Sequence, residues 1–93
     1  MIDKEAFYLK LNESLNATTK FPVKYLYKFI VPTDENQVAE IKLLFAKKSA
    51  RITTKNSKTG KYVSVSISVI LRSSKEVISY YKKAENIKGI ISL

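Results

Sequence analysis

Residues 57–69 read SKTGKYVSVSISV, and their alternation decides the fold class. From Val63 to Val69 aliphatic residues and serines take turns without a break. Successive side chains of a strand point to opposite faces, so Val63, Val65, Ile67 and Val69 belong to a core. Ser64, Ser66 and Ser68 belong to the other side. The strand runs from Lys61 to Leu71, with Leu71 on the core face and Tyr62 on the serine face. Before it, Asn56–Gly60 (NSKTG) is a normal five-residue hairpin turn, and Ala50–Lys55 is the preceding strand.

The pattern extends outward in both directions. Pro22 opens VKYLYKFIV, in which Val23, Tyr25, Tyr27, Phe29 and Val31 alternate with Lys24, Leu26, Lys28 and Ile30. This is a first strand with its odd-numbered face toward the core, and Pro32 stops it. Asp34 with Gln37 forms a helix-start box, followed by a stripe of Val38, Ile41 and Phe45 with Leu44 alongside. Ser73 with Glu76 is a second such box, opening a helix with Val77, Ile78, Tyr81 and Ala84 on its apolar face. The chain closes on a short strand in IKGIISL. At the other end Asp3 caps a helix bearing Phe7, Leu11 and Leu15 at i, i+4 and i+8.

The order is therefore a helix followed by β-α-β-β-α-β. That is the α+β, ferredoxin-like arrangement: a four-stranded antiparallel sheet with two helices on one face. Residues 1–20 form a helical extension and 21–93 the ferredoxin-like domain. The serines line the open face of the sheet unless the N-terminal helix folds across it.

Composition limits the chemistry. The 93 residues carry no cysteine, histidine or tryptophan. Without histidine, the side chain that most often moves protons near neutral pH is missing. The eight carboxylates are scattered, so no metal site is implied, nor any cofactor. The absence of cysteine suits a cytoplasmic protein. No apolar run approaches membrane-spanning length and no secretion signal is evident, so neither insertion nor export is expected.

The net charge of +9 is unevenly placed: Lys47, Lys48, Arg51, Lys55, Lys58 and Lys61 give residues 47–61 a charge of +6, with no acid among them. Such a patch gathers anions.

Phe21–Pro22 followed by Tyr25, Tyr27 and Lys28, and then Ser57, Gly60, Tyr62, Ser64, Val65, Ser66 and Ile67 in the pattern S-x-x-G-x-Y-x-S-V-S-I, closely resemble the YbeD-like family of small bacterial proteins. The resemblance covers Phe21 to Leu93 and leaves the N-terminal helix as an addition. It implies a ferredoxin-like fold similar to ACT regulatory domains, which bind small effectors and pair through their sheets. The family has no established activity, and a regulatory or partner-binding role is what it suggests.

The candidate binding residues are Arg51, Lys55, Ser57, Lys58, Gly60, Lys61, Tyr62, Ser64 and Ser66. Gly60 supplies the positive φ of the turn. A single glycine with no helix directly after it is not a phosphate-binding loop. No histidine or paired lysine activates the serines as nucleophiles. Tyr25, Tyr27 and Tyr81 are expected in the core with their hydroxyls reaching an edge.

These features predict a non-catalytic regulatory or protein-interaction module that meets a partner, acidic in character, or an anionic effector through the basic hairpin. Short edge strands and a small-residue face predict self-association. The rival is single-stranded RNA, because T-G-K-Y-V-S-V echoes the signature of RNA-binding sheets. That echo lacks its stacking platform, since Ser64 and Ser66 stand where aromatic rings are needed. Enzymes of the same fold lack their requirements here: a histidine for phosphoryl transfer, paired cysteines for copper, or a glycine-rich cradle in place of V-P-T-D-E-N.

Overall fold

The computed structural model describes residues 3–33 and 36–93. The elements are α1 (Lys4–Thr18), β1 (Val23–Pro32), α2 (Gln37–Leu44), β2 (Arg51–Asn56), β3 (Tyr62–Leu71), α3 (Ser74–Ala84) and β4 (Ile91–Ser92). The strands lie in the order β2-β3-β1-β4, each neighbouring pair antiparallel. Mixed α+β architecture with this antiparallel sheet is what the alternation predicted.

The two long strands form the centre. β1 and β3 pair from Val23 opposite Leu71 to Pro32 opposite Tyr62. That register puts odd-numbered residues of both strands on one face, where Tyr27, Phe29, Val31, Val63, Val65, Ile67, Val69 and Leu71 are buried. Pro32 ends the strand from within it, at a position that costs no ladder bond. It stands opposite Tyr62, whereas the next pair, Thr33 with Lys61, is hydrogen-bonded at 3.1 Å. Gly89 lies against the Pro32 ring, where a Cβ would approach to 2.9 Å, and its φ is +73°.

Helices α2 and α3 cover the odd face. Ile41 and Phe45 of the α2 segment are buried, with Val38 and Leu44 half-buried against the same cluster. Asp34 of the expected helix-start box lies outside the described residues. Asn36 occupies the cap position and makes no side-chain cap bond. For α3 half of the box forms: the Ser73 hydroxyl accepts from the Glu76 N–H, while Glu76 accepts from the Arg72 N–H rather than from that of Ser73.

The apolar face of α3 is wider than its predicted stripe. Tyr80 is buried, stacked on Phe45 with ring centroids 4.5 Å apart, and Tyr81 is half-buried. The reason is that α3 packs on both the sheet and the α2 segment, so two adjacent sides of it are apolar. The Tyr27 hydroxyl donates to the Val77 carbonyl at 2.8 Å, and the Tyr25 and Tyr81 hydroxyls share a hydrogen bond of the same length. Burial raises the pKa of Tyr27 and of Tyr81 well above the usual phenol value, with neighbouring tyrosines adding to the shift.

Helix α1 starts at its Asp3 cap, whose carboxylate accepts from the Glu5 N–H at 3.0 Å. It lies against α3, not across the serines. The buried Ser74 hydroxyl donates to Asn16 at 2.8 Å, and Tyr8 hydrogen-bonds Glu85. Along the expected stripe only Leu15 reaches the core cluster; Leu11 is half-buried and Phe7 is 55% exposed. The serine face of the sheet is therefore open.

Candidate docking surface

The basic hairpin is closed by its own hydrogen bonds. The Ser57 N–H donates to the Tyr62 carbonyl at 2.8 Å, and the Gly60 N–H donates to the Ser57 carbonyl at 3.0 Å. The Ser57 hydroxyl accepts from the Tyr62 N–H at 3.2 Å, so this serine is occupied in closing the turn. Gly60 has φ +72° and open space around the site of a Cβ, so the backbone angle alone calls for glycine. From the far side, the Thr33 hydroxyl donates to the Gly60 carbonyl at 2.7 Å. The turn is thus tied to the end of β1.

Five of the predicted residues come together. Lys55, Ser57, Lys58, Tyr62 and Ser64 line one shallow cavity of about 330 Å³ with Ile30 and Asn56. Tyr62 is 47% exposed there. Arg51, Gly60, Lys61 and Ser66 lie outside it. Arg51 is at the opposite end of β2, paired with Ser68, and Ser66 sits mid-sheet opposite Thr53 and Lys28. Of the six cations expected to lack a counter-ion, Lys48 has one: its ammonium meets Glu76 at 2.9 Å. That bond, with the Arg72 N–H, holds the Glu76 carboxyl below the usual carboxylate range.

Reading across the strands adds residues that the hairpin alone does not show. Arg51 and Ser68 lie in one row with Leu26; Thr53 and Ser66 with Lys28; Lys55 and Ser64 with Ile30 and Ile91. Lys24 stands opposite Ile70. The open face therefore carries Lys24, Lys28, Arg51 and Lys55 around a serine column, with Leu26 (64% exposed) and Ile70 (63% exposed) between them. Among the described residues every Asp and Glu sits on a helix or its cap: Asp3, Glu5, Glu13, Glu40, Glu76 and Glu85. Among the described residues the sheet face has cations and no Asp or Glu. Lys24 and Lys28 could have been found from the alternation in β1, which puts even-numbered residues on the serine side.

No described group of His, Cys, Asp or Glu could hold a metal ion. No described helix is long and apolar enough to cross a membrane.

Residues 16–93 match the family described as "Protein of unknown function (DUF493)". The chain belongs to the DUF493 family. This is the YbeD-like resemblance carried by the turn and its serine strand. No curated protein matches the chain. Among solved structures, the DUF493 chain is similar to the solution structure of protein HP0495 from H. pylori, with 20% identity and a TM-score of 0.66 over 82% of this chain and 86% of that one. It is also similar to the ACT domain from GTP pyrophosphokinase of Chlorobium tepidum, with 10% identity and a TM-score of 0.54 over 76% of this chain and 100% of that one. At these identities the likeness is one of fold, and the fold of this DUF493 member is ACT-like.

Proposed function

We propose that the protein is a small non-catalytic regulatory module whose open sheet face and basic hairpin dock an acidic protein partner. The observation that carries this reading is the segregation of charge: Lys24, Lys28, Arg51 and Lys55 share a face without a described carboxylate, and Lys58 and Lys61 extend it. Apolar groups interleaved with those cations, notably Leu26, Ile70 and Tyr62, supply area that excludes water on contact. An ACT-like fold in a family of unknown function is consistent with regulation. Self-association through this face would set four cations against four more, so an acidic partner fits it better than a second copy. Single-stranded RNA is the weaker reading, because the central strands offer Ser64, Ser66, Lys28 and Leu26 in place of stacking rings.

The test is affinity capture from extract of the source cells, comparing three proteins. One is the wild type. One carries Lys28→Glu, Lys55→Glu and Lys58→Glu. The third carries Lys10→Glu, Lys42→Glu and Lys75→Glu, the same charge change placed on the helices. The expected result is a discrete partner lost only from the sheet-face variant, with all three proteins equally folded. Equal loss from both variants, or from neither, overturns the reading.

A further inference from the structure

One edge of the sheet is left partly uncovered, away from the hairpin. β4 covers only part of β1: Ile91 pairs with Ile30, Ser92 with Phe29, and the Leu93 N–H donates to the Lys28 carbonyl at 2.9 Å. Antiparallel ladders alternate, so residues of β1 that bond toward β4 are the even-numbered ones. The hydrogen bond from Thr33 to Lys61 on the opposite edge agrees with this assignment. The backbone N–H and C=O of Leu26 and Lys24 therefore point outward, and among the described residues no strand pairs with them.

Beside this bare edge is a cavity of about 440 Å³, bounded by Ser92 and Leu93 at the end of β4, by Phe7, Tyr8 and Leu11 of α1, and by Tyr81. The Tyr81 hydroxyl meets that of Tyr25, which places the cavity on the helix side of the uncovered stretch of β1. It exists because α1 leans on α3 through Leu15 and Asn16 while Phe7 remains 55% exposed. Its lining is mainly carbon, with Lys4 and Glu85 paired at 3.7 Å on the rim.

We propose that the Lys24–Leu26 edge and the cavity beneath α1 form a strand-addition site for an extended partner segment in which apolar residues alternate with acidic ones. Each half of the pattern has its own cause. An added residue opposite Tyr25 or Tyr27 faces the helix layer and enters the cavity. An added residue opposite Lys24 or Leu26 faces the open side, on the face that carries Lys24 and Lys28, while the position opposite Lys28 itself is held by Leu93. Backbone pairing supplies affinity and the alternation supplies selectivity. A second copy of the chain fits less well, since each brings a net charge of +9 and its own Lys24 to the contact. The site shares Lys24, Leu26 and Lys28 with the docking face proposed above but uses neither the hairpin nor the serine column.

The probe is a fluorescent synthetic peptide of about nine residues in which Val alternates with Glu and Asp, a length within the ordinary strand range. Its control has the same composition, with all the Val at one end. The alternating peptide is expected to bind and to slow hydrogen exchange at the Leu26 amide by at least about tenfold. Leu26→Pro removes that outward donor without touching the β1–β3 ladder, and Leu11→Lys places a charge in the cavity. Each should weaken binding by at least about tenfold, a difference of roughly 1.4 kcal/mol. Lys55→Glu with Lys58→Glu should leave binding nearly unchanged. The proposal is overturned by any of four results: no binding of the alternating peptide, equal binding of the control, unchanged Leu26 exchange at saturation, or unaltered binding by both single variants. Dimers that already protect the Leu26 amide without peptide would assign the edge to a second copy and overturn it equally.

Discussion

The two faces of one sheet obey different rules although they share the same strands. On the helix-covered face each odd-numbered residue of β3 is aliphatic and buried, and its β1 partner is apolar as well. On the open face the rows mix serine, lysine, arginine and leucine. A core face is selected for what it excludes, so any one strand reports it. An open face is selected for what it presents, and its character appears only when three strands are read side by side.

The largest effects should fall on the covered face. Ile67→Ala empties space at the centre of the core and should cost about 2–5 kcal/mol, measured by urea denaturation. The same experiment on Ser66→Ala, one residue along, should register within about 0.5 kcal/mol. Similar losses at both positions would break the distinction between the faces.

Alkaline titration sharpens the contrast from within the core. The folded pKa values of Tyr27 and Tyr81 are raised, chiefly by burial. Their contribution is therefore complete below the unfolded phenol value near pH 10 and drains away as pH climbs toward the folded values. Tyrosinate absorbance should show an exposed fraction ionising first, with Tyr27 and Tyr81 ionising only as circular dichroism reports unfolding. A single smooth titration with the fold intact would show that the core phenols are accessible.

Ser73→Ala, which deletes the cap on the Glu76 N–H, should cost roughly 1 kcal/mol in thermal or urea unfolding. Smaller still is Glu76→Gln. The wild-type carboxylate is held below its usual range first by Lys48 and then by the Arg72 N–H. Its contribution is present above the unfolded carboxyl pKa and fades as pH falls through the lower folded value. The variant should lose about 1 kcal/mol or less at neutral pH. The gap from wild type should close in acid, as pH falls from the unfolded carboxyl value through the lower folded one. A gap that widens in acid would contradict the sign.

Most of the fold was legible because SVSIS and KYLYKF carry period-two patterns over long strands, and one capping box marks α3 without ambiguity. Tyr80 escaped because a stripe drawn for one packing partner misses a helix wedged against two. The hairpin cluster of Lys55, Lys58 and Tyr62 was legible from charge and turn chemistry. Lys24 and Lys28 were visible as residues, but their membership of the same surface is a statement about register between strands distant in sequence. The cavity beneath α1 was beyond reach for a different reason. Its size depends on the angle at which Leu15 and Asn16 seat the helix, and no local propensity encodes that angle.

Among the described residues the carboxylates share the helices with many lysines, whereas the open sheet face carries cations alone, so positive charge is densest on the sheet side. A protein so polarised does not tumble indifferently toward an acidic surface; it is turned in the field and arrives sheet first. Encounter rates with such a partner should exceed those of a protein with the same net charge spread evenly, and should drop steeply as ionic strength shortens the reach of the field. Recognition then begins about a Debye length away, before any serine is touched.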